Sequence, residues 1–172
     1  ASSPSTTSNT QEPSQEQLNS LVNLYNQNKL QQVFNEAQIL TKKYSKSLVL
    51  WNLMGASAAQ LGQLDEAVTA FKKAISINPD YAKAHNNLGN ALREQGNPDR
   101  AIVAFKKSIS INPEHAEAYN NMGIALKDQG KLQDAIKAFK KAISIKIEYP
   151  EAYNNMGNIL NEQGKSEQAA EA

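Results

Sequence analysis

A chain of 172 residues with 18 Lys and Arg against 17 Asp and Glu has a net charge of +1, too little for a dedicated nucleic-acid binder. Lacking Cys, it has neither a disulfide framework nor thiol chemistry, and its apolar runs are too short to span a bilayer. All 8 Gly fall on two regular series, Gly55, Gly89, Gly123 and Gly157, and Gly62, Gly96, Gly130 and Gly164, which leaves none for a phosphate-cradling loop.

Residues 1–13 are rich in Ser, Thr and Pro, with nothing apolar larger than alanine. Such a segment cannot bury enough surface to offset its ordering entropy, so it reads as a tail or linker. The chain opens on Ala1 and not Met, so an upstream segment is expected to be missing. Neither a secretory signal nor an Asn-x-Ser/Thr sequon is found, and a cytoplasmic location is the expectation. Ser14 with Gln17 then matches a helix capping box. Leu18, Leu21, Val22, Leu24 and Tyr25 recur at helical spacing, as do Leu30, Val33, Phe34, Ala37 and Leu40. Asn28 between them suits a left-handed turn. These helices form a degenerate first repeat, residues 14–47.

From Leu48 the repetition is explicit. AKAHNNLGNALREQG at Ala82 recurs 34 residues on as AEAYNNMGIALKDQG at Ala116, and again as PEAYNNMGNILNEQG at Pro150. A looser copy, LVLWNLMGASAAQLG, starts at Leu48. A constant period of this size marks a solenoid whose units bury their apolar faces on each other. Units are therefore placed at 48–81, 82–115 and 116–149, with a partial unit at 150–172. Each is a pair of helices, the second starting near Leu64, Pro98, Leu132 and Ser166, with Gly62, Gly96, Gly130 and Gly164 at the reversals. Gly89 and Gly123 inside first helices predict a close approach, with Ala101 and Ala135 as the facing residues and Phe71, Phe105 and Phe139 filling the gaps between successive units.

The marker residues Trp51, Met54, Gly55, Ala58, Ala67, Phe71, Ala74 and Pro79 resemble those of the tetratricopeptide-repeat family. The next units repeat them as His85, Leu88, Gly89, Leu92, Ala101, Phe105, Ser108 and Pro113, and as Tyr119, Met122, Gly123, Leu126, Ala135, Phe139 and Ala142. Ile147 replaces the proline of the third unit, so its helix is expected to run further than the others. The resemblance implies an all-α right-handed superhelix acting as a protein-interaction module, with first helices lining a concave groove. No enzyme activity and no cofactor are implied.

On a 100° wheel the arc opposite the packing side holds Asn86, Asn87 and Asn90 in one unit, Asn120 and Asn121 in the next, and Asn154, Asn155 and Asn158 in the last, with Asn52 in the unit before. Asn is a poor mid-helix residue, so its accumulation needs compensation. A carboxamide donates and accepts, and can therefore pair with a peptide group whatever the side chain attached to it. The ladder Asn87, Asn121, Asn155 resembles that of the repeat arm of O-linked N-acetylglucosamine transferase, which implies a peptide-binding groove. The competing reading is that the amides bond to neighbouring repeats or water. Another branch of the family holds C-terminal carboxylates with groove lysines and an arginine. Here Asn52, Asn86 and Asn120 stand at one lysine position and Asn121 and Asn155 at the arginine position, which argues against that ligand.

Val22, Val49, Leu53 and Ala56 make the N-terminal part of the arc apolar, a further contact patch or a surface covered by the first repeat. The pairs Lys72-Lys73, Lys106-Lys107 and Lys140-Lys141 recur on second helices. They read as solvated charge near helix C-termini, ahead of an anion-binding stripe. His85 and His115 have no nucleophile, acid or further metal ligand at a diagnostic spacing. The partner expected is a protein or peptide, with no nucleic acid and no membrane insertion. The uncapped last unit points to a longer array or to homo-oligomers through exposed ends, and a self-assembling scaffold or the recognition arm of a larger glycosyltransferase-like enzyme stand as alternatives.

Overall fold

The computed structural model describes residues 12–171, and side chains through residue 164. The Ser/Thr/Pro-rich tail lies outside the described residues except for Glu12 and Pro13. The described residues form nine helices packed in consecutive pairs, an all-α fold, and fall into two compact units that divide between Pro79 and Asp80.

The first unit holds α1 (Gln15–Asn26), α2 (Leu30–Lys43), α3 (Leu48–Gln60) and α4 (Leu64–Ile77). The Ser14 capping box forms in full: the hydroxyl accepts from the Gln17 amide, and the Gln17 side chain accepts from the Ser14 amide. Asn28 adopts φ 59°, and the amide of Lys29 reaches back to the Leu24 carbonyl at 3.0 Å, which closes α1 without glycine. Leu21, Val33, Tyr44 and Leu50 then pack as one core, with Leu18, Leu24, Tyr25, Leu40 and Leu53 at its margin. The Trp51 indole donates to the Ser45 carbonyl at 2.9 Å, and Gln60 on α3 donates to the Tyr25 hydroxyl on α1.

The second unit holds α5 (Ala82–Glu94), α6 (Pro98–Ile111), α7 (Ala116–Asp128), α8 (Leu132–Ile145) and α9 (Pro150–Glu171). Pro98 opens α6 at its first turn, where the missing amide costs nothing. The reversals after α5 and α7 place Gly96 at φ 77° and Gly130 at φ 72°, and the next amides, of Asn97 and Lys131, return to the Leu92 and Leu126 carbonyls at 2.9 Å.

Three expectations are corrected. The atoms nearest Gly55, Gly89 and Gly123 belong to the phenylalanine of the same helix pair and lie nearer than Ala101 or Ala135. A Cβ at Gly89 would lie 2.5 Å from Phe105 Cε1, and one at Gly123 2.6 Å from Phe139 Cε1. Each ring therefore lies on bare backbone within its unit and is fully buried. Secondly, α8 ends at Ile145, the same length as α4 and α6, although Ile147 replaces the proline. The chain leaves the helix because Tyr149 packs with Ala142 and Ala152, its ring covered by Lys146 Nζ 4.5 Å from the centroid. Thirdly, Gly164 makes no reversal, and α9 continues through the expected turn and second-helix start at Ser166.

Candidate functional site

In the second unit the asparagines lie on α5, α7 and α9 but do not share one environment. Asn86 is 1% exposed and Asn120 5%, whereas Asn87, Asn90, Asn121 and Asn155 are half-buried and Asn154 and Asn158 exposed. This corrects the width of the open arc: Asn86 stands at its edge, where the packed neighbour α7 covers it.

The buried amides are paired across helices. Asn86 Nδ2 donates to Glu117 Oε1 at 3.1 Å, and Asn121 Nδ2 donates to Asn86 Oδ1 at 3.2 Å. One helix on, Asn155 Nδ2 donates to Asn120 Oδ1, also at 3.2 Å. Bonding between repeats therefore accounts for part of the asparagine excess, as a buried amide requires. For Asn121 and Asn155 it uses one N–H, leaving the Oδ1 and the second N–H without a bond among the described residues. Arg93 adds an ion pair to Asp128 at 3.5 Å between α5 and α7, half-exposed and worth at most about 1 kcal/mol.

In the first unit Asn52 is half-buried. Val22 and Val49 are 40% and 43% exposed, but Leu53 packs against the core, so the apolar patch is narrower than the sequence suggests.

A polar cluster unrecognised in the sequence joins α5, α6 and the start of α7. The fully buried Ser108 hydroxyl donates to the Ala82 carbonyl at 2.8 Å, and the same oxygen lies 2.8 Å from His115 Nδ1. With the hydroxyl hydrogen committed to the carbonyl, His115 must be the donor, which fixes its tautomer as Nδ1–H. The pair therefore cannot act as nucleophile and base: the imidazole faces the wrong side of the hydroxyl oxygen and solvent does not reach it. Burial pushes the His115 pKa below its ordinary value, with Lys83 adding to the shift and Glu117 opposing it. A paired departure could have revealed the cluster, because the other units have Ala74 with Tyr81 and Ala142 with Tyr149 at these positions.

The paired lysines of α4, α6 and α8 are all exposed. Among the described residues no helix is long and apolar enough to cross a membrane, and no three His, Cys, Asp or Glu gather as a metal site.

Paired helices with a polar inter-repeat face define a helical-repeat binding protein. The chain belongs to the tetratricopeptide-repeat family: profiles described as TPR repeat and tetratricopeptide repeat match residues 55–96, 80–148 and 138–171. Proteins of this family are generally non-catalytic interaction modules. The fold is similar to the crystal structure of MamA, at 23% identity and TM-score 0.76 over 87% of each chain. It is similar also to the first TPR of Spaghetti (RPAP3) bound to the HSP90 peptide SRMEEVD, at 20% identity and TM-score 0.66 over 68% of this chain and 93% of that one. A third similar structure is pilF of Pseudomonas aeruginosa, at 16% identity and TM-score 0.79 over 87% of this chain and 68% of that one. No curated protein matches the sequence.

Proposed function

We propose that the face formed by α5, α7 and α9 holds an extended peptide segment of a partner protein, with Asn87, Asn121 and Asn155 as its rungs and Asn90, Asn154 and Asn158 beside them. The observation that carries this reading is the pair of half-buried carboxamides, Asn121 and Asn155, each tethered by one N–H and otherwise open. Neighbouring helices pack about 8–10 Å apart and an extended chain advances about 3.3–3.6 Å per residue, so one rung serves roughly every third peptide residue. The RPAP3 repeat with its bound peptide supports the class of ligand. An acidic C-terminal tail does not suit this face, which has Asn121 and Asn155 where that branch of the family needs cationic groups. Peptides selected from an unbiased library and titrated into 15N-labelled protein test the reading. Shifts should concentrate on α5, α7 and α9; shifts confined to the exposed lysines of α6 and α8 would place the working surface on the other side.

A second reading, self-association, is favoured by α9, where Tyr153 is 47% and Leu160 49% exposed. Sedimentation over a range of concentrations separates it from the first. The asparagine row suits equally the recognition arm of a larger glycosyltransferase-like enzyme, in which the same face would hold the substrate's peptide.

A further inference from the structure

The amide row has a direction, and a carboxylate sets it. Glu117 can only accept hydrogen bonds, so Asn86 must turn its Nδ2 towards Glu117, where it lies at 3.1 Å. That rotation presents the Asn86 Oδ1 to α7. Asn121 can bond to that oxygen only through its own Nδ2, as it does at 3.2 Å. Asn121 is thus fixed by Asn86, and Asn86 by a group that cannot reverse. Burial of Asn86 at 1% exposure keeps water from substituting for either partner. The bond from Asn155 to Asn120 runs in the same sense one helix on, and Glu151 occupies the register of Glu117 there.

We infer that Glu117 and Asn86 are positioning residues that hold the Asn121 amide with its carbonyl oxygen outward, so that Asn121 reads a partner chiefly through a backbone N–H group. This rests on the peptide-binding reading of the face and makes it specific. An amide free to rotate would offer either edge; one tethered through an N–H keeps its whole carbonyl oxygen and a single remaining N–H, which favours a strand whose N–H edge faces it. Neutral acceptors at regular spacing suit the N–H groups of an extended peptide better than a cationic side chain, which would call for a carboxylate.

Glu117 is exposed and Lys83 stands at its register on α5, so Glu117→Lys is compatible with the fold. Lysine only donates, and it should turn Asn86 over and Asn121 with it, bringing the Asn121 N–H groups outward. The probes are acetyl-(Ser-Val)3-amide and the same peptide with every backbone nitrogen methylated, titrated at millimolar concentration into 15N-labelled full-length chain. In the parent protein the unmethylated peptide should shift the Asn121 and Asn155 side-chain amide signals and bind about tenfold tighter or more, as expected for one or two hydrogen bonds. Glu117→Lys should lose that preference at Asn121, while Glu117→Gln, whose Oε1 still accepts, should keep it. A merely structural role for Glu117 would weaken both peptides alike. Equal affinity of the two peptides for the parent protein would overturn the direction of the row but leave a peptide-binding face standing. A preference unchanged by Glu117→Lys would remove Glu117 as its cause. Failure of both peptides to touch α5, α7 and α9, with library peptides also absent from that face, would remove the peptide-binding reading itself.

Discussion

Helices α7 and α9 are almost the same sentence written twice, yet only one face of each reads the same. Ala118 and Ala125 on α7 correspond to Ala152 and Ile159 on α9, and all four are fully buried. The other face diverges: Leu126 is 9% exposed and Leu160 49%, Gly123 is buried and Gly157 exposed. The difference is the packing partner. Gly123 lies under the Phe139 ring of α8, whereas nothing among the described atoms comes within 4 Å of a Cβ built at Gly157. Glycine in these helices is therefore a socket for a ring, and where no ring sits it is only a weak helix former.

Substitution at the two glycines breaks the comparison most sharply. Gly123→Leu must displace a fully buried ring and should cost several kcal/mol, since overpacking alone costs about 1–3 kcal/mol. Gly157→Ala meets nothing and should stabilise α9 by up to about 1 kcal/mol. Thermal unfolding reports the first change, and amide exchange within α9 the second. Similar losses at both positions would remove the socket argument.

A smaller effect separates Gly130 from Gly164. At φ 72° an alanine at Gly130 should cost about 1–2 kcal/mol, and asparagine less, as Asn28 already holds φ 59° in the corresponding turn of the first unit. Gly164 lies within α9, so Gly164→Ala should be neutral or mildly stabilising. Melting curves of the three variants check the order.

The smallest effect contrasts the two junctions of the second unit, Ser108 with His115 and Ala142 with Tyr149. The His115 pKa is lowered in the fold, so between that value and about 6.5 the unfolded chain binds more protons. Its contribution to stability is complete above about pH 6.5 and is lost as pH falls through the folded value. Tyr149 is raised by burial and then by Glu117 and Glu151, so its contribution holds below about pH 10 and is lost as pH rises through its folded value. Replacing Ser108 by Ala together with His115 by Tyr should flatten the acid limb of a stability profile and steepen the alkaline limb, as a third junction tyrosine joins Tyr81 and Tyr149.

Much of the fold was legible because helix signals here are local and repeated. The capping box at Ser14, the turn at Asn28 and the starts at Leu64, Pro98 and Leu132 each depend on a few neighbouring residues. What depends on a partner was not legible. A wheel cannot show that Asn86 is covered by α7, that Phe105 lies on Gly89, or that Gly164 continues a helix. The candidate face was half legible for the same reason: the asparagines could be counted, but the polarity that Glu117 gives them requires two helices side by side.

The central claim is that Asn87, Asn121 and Asn155 hold a peptide. Its most direct test is the calorimetric affinity of a library-selected peptide for the triple alanine variant, beside a control with Lys106 and Lys107 changed to glutamine. The structure adds a condition, because removing the Asn121 amide leaves a buried Asn86 oxygen unpaired at a cost of about 1–3 kcal/mol, so folding at the working temperature must first be verified by circular dichroism. Three lost hydrogen bonds of about 0.5–1.5 kcal/mol each should weaken binding roughly ten- to a thousandfold, with the lysine variant little changed. A folded triple variant that binds as the parent does, while the lysine variant fails, would contradict the claim and move the binding surface to the lysine-bearing helices.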